Sequence, residues 1–67
     1  MNKLEILLHT LNYLNTIYTS KYTIEAYIND QYIIEAATME NILTLYNLCD
    51  ILMINVSRGE NYEYIVG

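Results

Sequence analysis

A chain of 67 residues is long enough for one small domain, covering 1–67, and too short to bury an extensive core. Hydrophobic residues make up 54% of the chain and charged residues 16%, which favours a folded protein, and no apolar run is long enough to cross a membrane. The net charge of −5 disfavours direct contact with nucleic acid or with anionic lipid, because both are themselves negatively charged.

The first predicted element is a helix over residues 2–18. Asn2 is placed to cap it, and Glu5 occupies the third helical position of a capping box. Apolar residues recur at helical spacing and predict one buried stripe, formed by Leu4, Leu7, Leu8, Leu11, Leu14, Ile17 and Tyr18. The same spacing suits a coiled-coil seam, but it extends over roughly two heptads, so we favour a helix that packs on a sheet.

A β-hairpin is predicted over residues 22–36, where β-forming residues alternate on either side of a polar turn. A two-residue turn at 29–30 would mix glutamates with apolar residues on both faces. A three-residue turn at 29–31 gives one clean apolar face and sets Glu25 opposite Glu35 on the other. We choose the three-residue turn, because a like-charge pair in solvent costs less than a buried, unpaired carboxylate.

The second half of the chain is predicted to repeat this order of helix and hairpin. Thr38 is expected to cap a helix that ends near Asp50. The buried stripe of this helix is predicted to consist of Met39, Ile42, Leu43, Tyr46 and Cys49. Residues 51–66 are predicted to form a hairpin that turns at 57–59, because Gly59 suits the left-handed third position of such a loop.

The element order predicts an α+β fold of two layers, α-ββ-α-ββ, with a four-stranded antiparallel sheet and two helices on one face. The other face of that sheet has no helix to cover it, yet both predicted hairpins place apolar residues there, Ile51 among them, with carboxylates beside them. Such a surface is typical of a partner-binding site. The predicted partner-binding residues are Glu25, Tyr27, Ile33, Glu35, Met53, Glu63 and Ile65.

Motifs for catalysis, cofactors and metals are not found in the sequence. One His and one Cys are too few for a structural zinc site, and two glycines form no phosphate-binding loop. Glu25 and Glu35 form a pair of carboxylates that would suit acid/base work or a divalent cation if they lay in a cleft. Both are expected on an open sheet face, so an acidic contact patch is the favoured interpretation. We therefore expect no enzyme, no cofactor and no metal site.

Two features bear on where the protein acts. Cys49 lies among apolar residues and cannot form an internal disulfide, so we expect a buried, reduced thiol. The first residues lack the basic flank and the cleavage site of a signal peptide. Both features predict a cytoplasmic protein, located in the host cell cytoplasm if a phage encodes it.

The sequence therefore predicts a non-enzymatic protein-interaction module. Tyr, Ile and Asn are frequent and have AT-rich codons, as in many small reading frames of phages and mobile elements. The specific hypothesis is a viral, anti-defence type of inhibitor that binds a basic host protein in defence or DNA handling. The chain is also expected to form a homodimer when no host partner is present. The alternatives are a self-associating homodimer with a structural or accessory role, and a small-ligand binder such as a sponge for a signalling nucleotide. The nucleotide is disfavoured because phosphates need basic groups or glycine-rich loops.

Overall fold

A computed structural model describes all residues, 1–67, and confirms the predicted α+β fold. Helix α1 spans Lys3–Ile17 and helix α2 spans Met39–Leu52. The strands are β1 (Tyr22–Ile28), β2 (Gln31–Ala36), β3 (Val56–Arg58) and β4 (Glu63–Val66). They form one antiparallel sheet in the order β1-β2-β4-β3, so the last strand in the chain lies in the middle of the sheet.

Both helices begin where side chains satisfy their free backbone N–H groups. Asn2 Oδ1 accepts from the Glu5 N–H at 2.9 Å, and Glu5 Oε1 accepts from the Asn2 N–H at 3.5 Å, which confirms the capping box. Thr38 Oγ1 accepts from the Asn41 N–H at 3.1 Å, which confirms the predicted cap of α2. Neither helix combines the length and the apolar character needed to traverse a lipid bilayer.

One hydrophobic core lies between the helices and a single face of the sheet. Its buried members come from both helices and from three strands: Leu7, Leu11, Tyr22, Ile34, Ala36, Leu45, Cys49, Tyr64 and Val66. The predicted α1 stripe is confirmed at its centre by Leu7 and Leu11, whereas Ile17 and Tyr18 at its C-terminal end are exposed. Because both helices contribute to this one core, they cover the same side of the sheet, as predicted.

The predicted buried stripe of α2 is wrong in its centre. Leu45 is fully buried, whereas Met39, Leu43 and Tyr46 of the predicted stripe are exposed. The length of the helix explains the difference. The helix continues through Leu52, which follows Leu45 by two turns and packs against the core on the same side. The buried face is therefore centred on Leu45. Of the two remaining members of the predicted stripe, Cys49 is fully buried, as predicted, and Ile42 is partly buried against the core.

The first hairpin closes with a two-residue turn, so the predicted three-residue turn is wrong. Asn29 and Asp30 both have positive φ, 55° and 63°, and Ile28 pairs directly with Gln31. Positive φ at both central residues is the mark of a type I′ turn, whose twist matches that of the flanking strands. Asn and Asp adopt this conformation more readily than other residues with a side chain.

A β-bulge at Glu25 removes the conflict that a two-residue turn would otherwise create. The pairing of β1 with β2 shifts by one residue between Ile24 and Ala26, so Glu25 is the extra residue of β1. The apolar residues before the bulge therefore face the helices, although the turn has only two residues. The predicted opposition of Glu25 and Glu35 is wrong as well, because Thr23 stands opposite Glu35.

The second hairpin is shorter than predicted and turns elsewhere. Met53, predicted in a strand, has φ 55° and ends α2 as its left-handed cap. In the turn between β3 and β4 the left-handed residue is Asn61, with φ 53°, and not Gly59. Gly59 instead donates its N–H to the Glu63 carbonyl oxygen at 2.8 Å. Because Gly59 is not left-handed, Gly59→Ala should not lower stability through backbone strain.

Candidate protein-interaction surface

The sheet has one face turned toward the helices and one face turned away from them. Directly paired residues of neighbouring strands lie on the same face, so the strand registers assign each side chain to a face. We call the side away from the helices the outer face. It comprises Thr23, Glu25, Ala26, Ile28, Gln31, Ile33, Glu35, Ser57, Glu63 and Ile65, none of which is fully buried.

An apolar row crosses the centre of the outer face. Ile33 of β2 pairs with Ala26 of β1 on one side and with Ile65 of β4 on the other. Ser57 of β3 continues the row beside Ile65. Ile33 and Ile65 are only partly buried, because no helix packs on this side. A partner bound here would remove apolar surface from water, which stabilises a complex by about 25 cal/mol per Å².

Three carboxylates lie together along one side of the apolar row, and we call Glu25, Glu35 and Glu63 the acidic cluster. Glu35 is directly opposite Glu63, and the carboxyl group of Glu25 lies close enough to both to interact with them. The hydrogen bond that a protonated Glu25 can donate to Glu63, a loss of hydration, and repulsion from Glu63 and Glu35 raise the pKa of Glu25 above its ordinary value.

The raised pKa of Glu25 has a consequence for stability. Because the folded protein holds this proton more tightly than the unfolded chain, Glu25 lowers stability as the pH rises through its folded pKa. Glu25→Gln should therefore melt at a higher temperature than the wild type at neutral pH. The advantage should shrink as the pH falls toward the ordinary value of 4.5. Thermal melts of both proteins between about pH 4 and pH 8 measure the difference.

Glu60→Gln is the matched control for this pH series. It removes an exposed carboxylate from the turn that precedes β4, outside the outer face. The control should not reproduce the pH-dependent gain of Glu25→Gln. A gain of the same size in both variants would point to net charge as the cause, and not to the contact between Glu25 and Glu63.

Most of the predicted partner-binding residues lie on the outer face, and two do not. The five that the structure brings together are Glu25, Ile33, Glu35, Glu63 and Ile65. The carboxylates lie along one side of the isoleucines, whereas the sequence pattern predicts that they surround an apolar centre. The predicted placement of Tyr27 and Met53 is wrong.

Tyr27 lies on the helix side of the sheet. It is directly opposite Tyr32, with the ring centroids 4.5 Å apart, and its hydroxyl donates to Asp30 Oδ1 at 3.1 Å. The two-residue turn and the bulge together invert the faces of residues 26–28 relative to the predicted register. The same inversion brings Ala26, which sequence reasoning missed, next to Ile33 on the outer face.

Met53 lies at the end of α2, where it is 77% exposed, and Ile51 in the last turn of the same helix is 74% exposed. Both residues are therefore accessible, but neither belongs to the sheet. Ser57 of β3 lies opposite Ile65, at the position where the predicted hairpin places Ile51. The row beyond Ile65 is accordingly more polar than predicted.

The remaining reactive groups to consider are possible metal ligands and the single cysteine. No group of three or more His, Cys, Asp or Glu side chains is arranged to hold a metal ion. Cys49 is buried, as predicted, and burial raises the pKa of its thiol to about 11, so the reactive thiolate is scarce at neutral pH. No protein-family model, no curated protein and no solved structure matches this chain.

Proposed function

We propose that the protein is a non-enzymatic interaction module whose outer face binds a basic surface of another protein. The observation that carries this proposal is the presence, on one uncovered sheet face, of the Ile33–Ile65 pair beside the acidic cluster. In protein interfaces, apolar contacts at the centre supply much of the affinity, and charged neighbours select the partner.

The acidic cluster favours a partner that presents Lys or Arg. The causes that raise the Glu25 pKa are a hydrogen bond, a loss of hydration and repulsion between carboxylates, without a basic side chain to oppose them. The three basic residues of the chain are not among the residues of the outer face: Lys3, Lys21 and Arg58. A guanidinium or ammonium group of a partner would stabilise the ionised carboxylates and donate charge-assisted hydrogen bonds to them. Binding should therefore lower the raised pKa of Glu25.

A second copy of the chain fits the outer face less well than a basic protein does. In a symmetric dimer the same patch of both copies enters the interface, so two acidic clusters would share it. Each copy also carries a net charge of −5, which adds to the repulsion. The homodimer remains the alternative hypothesis, and sedimentation of the purified chain at micromolar concentration distinguishes it from a monomer that awaits a partner.

In its specific form, the proposed partner is a host protein and the chain is an inhibitor encoded by a phage or mobile element. This form rests on composition, since eight Tyr and frequent Ile and Asn suit an AT-rich genome. The inhibitor would act in the host cytoplasm on a protein of defence or DNA handling. An acidic surface bound to the basic surface of the host protein would prevent nucleic acid from binding there. Inhibition would therefore require only that the chain stays bound.

Capture from host lysate, followed by mass spectrometry, tests the proposed function when it is done with variants of the bait. We expect the wild type to retain a basic protein that Ile33→Thr with Ile65→Thr does not retain, because the apolar row has lost its methyl groups. Threonine keeps the preference of isoleucine for strands, so the sheet should remain folded.

The control bait carries Leu43→Gln with Ile51→Gln, which removes exposed apolar side chains from α2 and leaves the outer face intact. It should retain the partner as the wild type does. Loss of capture in this control alone would place the binding surface on the helices and contradict the proposal. Self-association would be favoured if the purified chain is a dimer and Ile33→Thr with Ile65→Thr converts it to a monomer.

A further inference from the structure

A polar cleft of about 400 Å³ opens between the C-terminal end of α1 and the N-terminal end of α2. It is formed by the helices and the loops beside them, and it shares no residue with the outer face. Eight residues line it, of which only two are hydrophobic. Its volume lies in the range of small-molecule sites, and its polar lining suits a ligand that makes hydrogen bonds.

Asn41 distinguishes this cleft from an ordinary surface depression. The residue is only 8% exposed. The hydrogen bonds that it makes with neighbouring side chains involve its own backbone N–H and C=O groups and not its side-chain amide. Its N–H donates to Thr38 Oγ1 at 3.1 Å, and its carbonyl oxygen accepts from the Tyr22 hydroxyl at 3.0 Å. The side-chain amide has no partner within the chain and lines the cleft. No buried side-chain N or O atom of the protein lacks a partner, so solvent reaches this amide through the cleft. A ligand in the cleft can therefore replace that solvent and take up the hydrogen bonds of the amide.

The wall that carries Asn41 is fixed by a short hydrogen-bond network. Asn15 of α1 holds the backbone of Tyr22 on both sides, since Nδ2 donates to the Tyr22 carbonyl oxygen and Oδ1 accepts from the Tyr22 N–H, each at 2.8 Å. The Tyr22 hydroxyl in turn donates to Asn41. These bonds connect α1, β1 and α2 beside the cleft, so a ligand would meet a preorganised surface.

We propose that the cleft binds a neutral, planar heterocycle with a hydrogen-bond donor and an acceptor side by side, as on the edge of a nucleobase. The amide of Asn41 presents one donor and one acceptor, which match the N6 and N7 edge of adenine. The Glu40 carboxylate, also in the lining, can accept from an amino group. Tyr18, which lines the cleft and is 63% exposed, offers an aromatic surface for stacking.

The charge of the lining selects nucleosides over nucleotides. No basic residue lines the cleft, and the Glu40 carboxylate repels anions. A phosphate group would therefore find neither a cationic partner nor a neutral environment. This inference does not rest on the proposed protein-binding function, because the two surfaces are separate.

Titration of the ¹⁵N-labelled protein with adenosine, followed by amide NMR spectra, tests the proposal. We expect shifts at residues around the cleft and a response to AMP that is weaker by about tenfold or more. Asn41→Leu should abolish the adenosine shifts and keep the protein folded, because the hydrogen bonds of Asn41 within the chain are made by its backbone and leucine is of similar size. Asn47→Leu, on the exposed side of the same helix, should leave the adenosine shifts unchanged.

Two results would overturn the inference: an unchanged spectrum with adenosine up to its solubility limit, or adenosine shifts that persist in Asn41→Leu. If Asn41→Leu fails to fold, Tyr18→Ala decides instead, because this exposed side chain can be removed without loss of the core. Weaker adenosine binding by Tyr18→Ala would then support the site, and unchanged binding would refute it.

Discussion

Leu45→Ala should lower the free energy of unfolding by about 2–5 kcal/mol, the largest stability effect that we expect from a single substitution in this chain. Leu45 is fully buried at the centre of the α2 face that packs on the core, so truncation removes apolar burial and leaves a cavity. A domain of this size has a stability of the same order, so the variant should be largely unfolded. Urea denaturation followed by circular dichroism measures the loss.

Leu43→Ala is the matched control, because it makes the same chemical change two residues earlier in the same helix. Leu43 is 55% exposed, so we expect a change within about 0.5 kcal/mol. The reverse order of effects, with Leu43→Ala unfolding the protein and Leu45→Ala tolerated, would mean that α2 is rotated about its axis to the orientation that its predicted stripe implies.

Charge reversal in the acidic cluster should have the largest effect on partner binding. With the captured partner in hand, Glu35→Lys with Glu63→Lys should weaken the complex by at least about 2 kcal/mol, through slower association and through loss of paired charges. The loss of affinity should be smaller at high salt, because screening weakens the electrostatic attraction between the wild-type acidic cluster and the partner. Surface plasmon resonance at two ionic strengths gives both the rates and their salt dependence.

Asp50→Lys with Glu60→Lys changes the net charge by the same amount outside the outer face, where both carboxylates are exposed. This control should slow association only slightly. Equal losses in the two variants would mean that the partner responds to the net charge of the chain and not to the acidic cluster.

The helix caps could be predicted from the sequence because their signals are local. The capping box of Asn2 and Glu5 joins positions three residues apart, and the bond from Asn41 to Thr38 spans the same distance. The regular alternation of β2 and β4 is local in the same sense. Ile33 and Ile65 therefore reach the outer face as predicted, although the registers around them differ.

The faces of β1 could not be predicted by such local reasoning. The pair Asn29-Asp30 is a known signal for a two-residue turn, but that turn is compatible with an apolar inner face only if the strand also contains an extra residue. The position of the extra residue, Glu25, is set by pairing with β2 and by packing under the helices, both of which are long-range. The alternation within β1 alone therefore predicts the wrong side of the sheet for Tyr27.

The end of α2 shows the same competition between local preference and packing. Residues 51–56 contain β-branched residues and resemble a strand when read alone. Leu52 nevertheless continues the helix, because in that position it packs against the core on the same side as Leu45. Tertiary packing thus overrides the strand preference, and Met53 becomes a helix cap instead of a member of the sheet.

The bulge at Glu25 protects an edge of the sheet from other chains. β1 is an edge strand, so half of its backbone N–H and C=O groups have no partner strand. The extra residue breaks the regular spacing of these groups and increases the local twist, which hinders pairing with a neighbouring molecule. An in-frame deletion of codon 25 would leave every other residue of β1 on its present face, since Glu25 is the residue without a counterpart in β2. Such a deletion would preserve the core yet present an uninterrupted template for intermolecular β-structure, so its expected phenotype is fibrous aggregation of a correctly folded chain.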